Sequence, residues 1–111
     1  VNTFHFRKGV RMAGGMVLVK TKAEEQLLIT LLQEFGPKVI LSRRFEPTET
    51  FKHYTKLGIH GVLNVEHDGD TGETIFEIAL PPTFVGYIEY EIGKLRNFVS
   101  AAKEKDSNTQ K

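Results

Sequence analysis

The chain has 111 residues, 40% of them hydrophobic and 26% charged, with a formal net charge of +1 and no cysteine. That length suits one domain around one core, and that composition fits neither a disordered chain nor a fibrous repeat. Disulfides, thiolate catalysis and Cys-based zinc sites are excluded, and with no apolar run near the roughly 20 residues of a bilayer span a cytoplasmic protein is expected.

In chain order, VNTFHFRKGVRMAGG combines Arg7, Lys8 and Arg11 with a Gly pair and no clear period. Residues 1–20 therefore read as a basic N-terminal arm, with MVLVK as an edge strand at its end. TKAEEQLLITLLQEFG is the clearest helix. Thr21 with Glu24 three residues on forms a capping box, and Leu27, Leu28, Leu31, Leu32 and Phe35 share one face. Gly36 and Pro37 supply its expected stop.

KVILSRRF reads equally as a strand or a short helix, because so brief an apolar run does not separate the two. Pro47 then breaks the chain and suits the start of a new helix, in which Thr50, Tyr54 and Leu57 fall at i, i+4 and i+7 with Phe51 beside them. Gly58 ends it. GVLNVEH and ETIFEIAL flank DGDTG, whose Asp-Gly pair signals a hairpin. In the second of these strands Thr74, Phe76, Ile78 and Leu80 share a face, with Leu63 and Val65 as partners, and Pro81 and Pro82 end the pairing.

The last element, residues 83–104, reads as one long helix. Val85, Ile88, Ile92, Leu95, Val99 and Ala102 are spaced 3, 4, 3, 4, 3, a heptad seam expected at a dimer interface or, on the alternative reading, against the chain's own core. Gly86 and Gly93 lie beside that seam, and residues 105–111 read as a disordered polar tail.

The near-zero net charge hides an asymmetry. Residues 1–22 hold Arg7, Lys8, Arg11, Lys20 and Lys22 with no acid, and residues 37–57 hold Lys38, Arg43, Arg44, Lys52 and Lys56 against Glu46 and Glu49. Residues 58–82 hold Glu66, Asp68, Asp70, Glu73 and Glu77 with no Lys or Arg. Such a split serves either a basic binding face or an ordinary solvated surface.

Catalysis has little support. His60 and His67 lack the i, i+4 spacing of helical metal ligands, and the acids beside His67 read as turn formers rather than a metal site. MAGGM lacks the Lys and following helix of a phosphate loop, and Ser42 and Ser100 have no motif-linked base. A non-enzymatic protein without cofactor or metal is expected.

Thr50, Tyr54, Leu57, Gly61, Val62 and Leu63 trace a helix, a glycine and a strand entering a hairpin. In this the sequence resembles the second half of a winged helix-turn-helix domain, with residues 21–35 as first helix, PKVILSRR as second and residues 21–82 as the core. The resemblance implies an α+β fold with a long C-terminal dimerisation helix, and a DNA-binding transcriptional regulator or mobile-element accessory factor. It implies that Thr48, Lys52, His53 and Lys56 face double-stranded DNA and that Arg43 and Arg44 clamp phosphate. Arg7, Lys8, Arg11 and Lys38 would be candidate backbone contacts. An acidic wing would point away from phosphate or meet a partner protein. The alternative is a β-α-β-α-β-β-α interaction module that makes VILSRRF a central strand and binds a basic partner through the acidic hairpin.

Overall fold

The computed structural model describes residues 15–40 and 46–109, with side chains as far as residue 102. The expected contacts Arg7, Lys8, Arg11, Arg43 and Arg44 lie outside the described residues. In chain order the elements are β1 (Gly15–Val19), α1 (Lys22–Val39), α2 (Glu49–Lys56), β2 (Val62–His67), β3 (Thr74–Ile78) and α3 (Pro82–Thr109). The fold class is α+β: the described residues form three helices and one antiparallel sheet in the order β1-β3-β2.

Strand alternation divides the sheet into two faces. On one, Val17 and Val65 flank Phe76, and Gly15 and Val62 flank Ile78. This face joins Leu28, Leu31 and Leu32 of α1 and Val85, Ile88 and Ile92 of α3 in a single core. On the other face Leu18, Ile75 and Glu66 stand in one row and Met16, Glu77 and Asn64 in the next. β1 is an edge strand, as expected, but it is an integral part of the sheet.

α1 begins as its sequence dictates. Thr21 Oγ1 accepts from the Glu24 amide at 3.1 Å. The reciprocal half of the capping box is displaced by one residue, because the Glu24 carboxylate accepts from the Lys20 amide at 2.8 Å.

The expected stop at Gly36 and Pro37 is corrected: α1 runs through both to Val39. Pro37 loses one main-chain hydrogen bond, but the Ile40 amide still reaches Gly36 O at 3.1 Å, so the last turn closes around it. Gly36 is there for close approach, since a Cβ on it would lie 3.0 Å from both Cβ and O of His60. Of the expected second helix over PKVILSRR only the first four residues are described, and residues 41–44 lie outside the described residues. Pro37, Lys38 and Val39 finish α1, and Ile40 is its extended cap. The alternative strand VILSRRF has its first residue, Val39, in α1, and its residues 41–45 lie outside the described residues; among the three strands described β3 is central.

β2 carries an irregularity between Val62 and Asn64 that leaves Leu63 without a cross-strand partner. Both Val62 and Leu63 are buried as a result. The hairpin closes through the Asp68 amide to Glu73 O and the Gly72 amide to Asp68 O, each at 2.8 Å. Gly72, not the Gly69 of the Asp-Gly pair, takes the positive φ, at 79°.

α3 absorbs the expected tail as far as Thr109. The first half of its heptad seam is spent inside the chain: Val85, Ile88 and Ile92 are buried in the core and Leu95 is half-buried, whereas Val99 and Ala102 are exposed. At 1.5 Å per residue a helix of 28 residues is about 42 Å long, more than the two shorter extents of 33 and 24 Å and within the longest of 57 Å.

Candidate nucleic-acid interface

α2 is held at both ends by bonds that its sequence supplies. Thr48 Oγ1 accepts from the Phe51 amide at 3.0 Å and donates to Leu63 O at 2.7 Å. The carbonyl that the β2 irregularity frees from the ladder is thus taken up by the helix cap. At the other end the Ile59 amide donates to Tyr54 O and the Gly58 amide to Thr55 O, both at 2.9 Å, with Gly58 at φ 82°. This is a Schellman closure, and its apolar pair, Ile59 and Tyr54, joins the core.

These anchors fix which side of α2 faces outward. Lys52, His53 and Lys56 are exposed, as the sequence suggests, and Thr50 and Tyr54 are half-buried. Lys52 Nζ lies 3.6 Å from Glu49 Oε2, an exposed i, i+3 pair that water and salt weaken. The His53 ring stands edge-on to Tyr54 with centroids 5.5 Å apart. Lys38 is exposed at the end of α1.

Two expectations are corrected. Thr48 is not a free outward donor, since its hydroxyl hydrogen is committed to Leu63 O. Leu57 is not on the inner face, because the helix ends one residue before it and leaves it 56% exposed.

The hairpin tip is organised by its own acids. Asp68 Oδ1 accepts from the amides of Asp70 at 2.9 Å and Thr71 at 3.4 Å, and His67 Nδ1 lies 2.8 Å from Thr74 Oγ1. These are turn contacts of the kind Asp and Thr side chains make locally. Among the described residues no three His, Cys, Asp or Glu side chains converge to hold a metal ion, and no described helix is long and apolar enough to cross a membrane.

A bidentate ion pair among the described residues lies elsewhere and was missed in the sequence. Arg96 of α3 binds the buried carboxylate of Glu24 with two hydrogen bonds of 2.9 and 2.8 Å. The Arg96 guanidinium, helped by the Lys20 amide, holds the Glu24 carboxyl below the ordinary glutamate range against the opposing effect of burial. The signal was present: Arg96 continues the i, i+4 row of Ile88 and Ile92 along the buried side of α3, where an unpaired cation has no place.

No family model matches this chain, and neither a curated protein nor a solved structure matches it.

Proposed function

We propose that this chain is a small DNA-binding protein of the winged-helix kind, acting as a dimer in transcriptional regulation or as an accessory factor of a mobile element. The observation that carries the reading is α2. It is an anchored helix whose outward side presents Lys52, His53 and Lys56 and whose end leads into the β2–β3 hairpin. A helix fixed in this way offers cationic donors to phosphates and base edges in a major groove without further ordering of its backbone. Arg43 and Arg44 precede it in sequence and would add phosphate contacts; Lys38 is a third candidate. The seam of α3 beyond Leu95 would supply the dimer, which brings two short recognition helices to paired half-sites.

A second reading has its own support at the end of α1, where Pro37, Lys38 and Val39 belong to that helix and Ile40 is extended, at the place where the winged-helix reading sets the start of a second helix. On that reading the chain is a non-enzymatic interaction module whose acidic hairpin meets a basic protein.

Fluorescence anisotropy with mixed-sequence duplex DNA across a salt series tests the choice. DNA binding through α2 predicts a steep loss of affinity with salt and a near-complete loss in the Lys52→Glu, Lys56→Glu variant. No binding at low salt by folded protein would remove the reading and leave the acidic hairpin as the surface to pursue.

A further inference from the structure

α3 carries a second row of residues with the spacing of the first. Val85, Ile88 and Ile92 turn into the core, whereas Phe84, Tyr87, Glu91, Lys94, Phe98 and Ala101, also spaced 3, 4, 3, 4, 3, lie about a quarter-turn away. Phe35 of α1 takes up only the start of this row, with ring centroids 5.4 Å from Phe84 and 5.8 Å from Tyr87. Tyr87 remains 45% and Phe98 70% exposed. Single exposed apolar side chains are ordinary, but aromatic residues set in a heptad row are what a helix presents to another helix. At the middle of the row Lys94 Nζ lies 3.3 Å from Glu91 Oε2 and 4.9 Å from the centroid of the Tyr90 ring.

We propose that this row is a contact between two copies of the chain, their α3 helices running antiparallel about a two-fold axis that passes between Glu91 and Lys94. The row is self-complementary in that arrangement alone. About such an axis Tyr87 meets the partner's Phe98 and Glu91 meets the partner's Lys94, and symmetry repeats each pair. Phe84 and the partner's Ala101 close the two ends, so the contact runs for about 26 Å of helix. A parallel pair would instead set Glu91 against its own copy and Lys94 against its own copy, and like charges facing across an interface are costly. A nucleic-acid strand is the poorer occupant, because Glu91 stands in the row and repels phosphate. The inference rests on the dimer of the reading above and on nothing about DNA; it sets the contact on the row beside the first seam and gives it a direction.

Charge exchange tests the register. Sedimentation velocity over a concentration series compares the full chain with Lys94→Glu, which leaves only carboxylates at the centre of the contact, and with the exchanged pair Glu91→Lys, Lys94→Glu, which restores opposite charges there. The antiparallel contact predicts that parent and exchanged variant dimerise over the same range, while Lys94→Glu needs a concentration at least about ten-fold higher. An exchanged variant as weak as Lys94→Glu overturns the proposal. Equal dimerisation of all three proteins overturns it too and leaves the dimer to the end of the first seam. A parent that is monomeric throughout removes both this contact and the dimer of the earlier reading, while DNA binding by α2 is still decided by the anisotropy series. Should Lys94→Glu lose its native circular dichroism, Glu91→Lys, which leaves only ammonium groups at the centre, is read in the same way.

Discussion

Arg96 grips Glu24 across 72 positions of sequence, Nε donating to Oε2 at 2.9 Å and Nη2 to Oε1 at 2.8 Å. The two partners are unequally placed, with side-chain exposures of 39% for Arg96 and 4% for Glu24. Removing either therefore has a different consequence. Arg96→Ala leaves a buried carboxylate with only the Lys20 amide, and such orphaned charges typically cost about 3–5 kcal/mol when fully buried. Glu24→Gln leaves an arginine that water already reaches, so about 1–2 kcal/mol is expected. Urea unfolding of the two variants checks the order. A Glu24→Gln loss equal to or larger than that of Arg96→Ala would mean that burial of the carboxylate does not set the energetics.

The same pair fixes a direction for acid stability. The folded-state pKa of Glu24 is depressed, so the folded chain holds its proton less tightly than the unfolded chain does. Its contribution is therefore fully present above the ordinary glutamate range and is lost as pH falls through the lower, folded value. Stability measured from pH 6 downward should decline over that window, and the decline should be shallower in Glu24→Gln. Parallel pH profiles for parent and variant would contradict this linkage.

Local rules located most of the elements and misjudged how they join. The Thr21 cap of α1, the apolar row from Leu27 to Phe35 and the alternation of Phe76 and Ile78 are short-range patterns, and each stands in the fold as read, whereas Leu80 lies beyond the end of β3 and is buried beside Ala79. Gly36 and Pro37 looked like a stop because sequence alone does not reveal that His60 passes close enough to demand a glycine there. Leu63 looked like an ordinary strand residue because a β-bulge is visible only once the register of two strands is known. The helical row of Ile88 and Ile92 marks Arg96 as facing the core, but its partner Glu24 lies 72 positions away, too far for periodicity to name it. As for the candidate interface, the exposure of Lys52, His53 and Lys56 was legible from helical spacing, whereas the commitment of the Thr48 hydroxyl was not, since its acceptor lies 15 positions away.

Two glycines in helices should respond oppositely to the same substitution. Gly36→Ala sets a methyl 3.0 Å from the Cβ and carbonyl oxygen of His60, and because that neighbour is backbone the strain should remove about 1–3 kcal/mol. A methyl on Gly86, with nothing within 4 Å, meets only solvent and should add up to about 1 kcal/mol through helix propensity. Thermal melts of the two variants give the comparison. A stabilised Gly36→Ala would show that the α1 contact with His60 is looser than described.

Thr48 separates a fold-bearing role from a DNA-reading one. Thr48→Val keeps the shape and loses both the cap to Phe51 and the bond to Leu63 O, for an expected loss of about 2 kcal/mol. Thr48→Ser retains both bonds and should stay close to the parent. If the proposed DNA surface is right, Thr48→Val measured well below its melting temperature should bind a duplex as tightly as the parent. A large affinity loss in that folded variant would place Thr48 at the bases after all.

The far half of α3 decides whether the heptad seam has a second purpose. Ile88 and Ile92 are inside the core, so Ile92→Ala should lose about 2–5 kcal/mol, while Phe98 and Val99, 70% and 41% exposed, have no comparable burial to lose. A Phe98→Lys, Val99→Lys variant should therefore melt like a dilute sample of the parent. If the proposed dimer forms through this overhang, the parent's melting temperature rises with concentration and sedimentation reports two chains, while the variant is a monomer with a concentration-independent melt. A parent that stays monomeric at every concentration tested confines the seam to its internal work. DNA binding would then rest on one copy of α2, with the lower affinity that a single half-site allows.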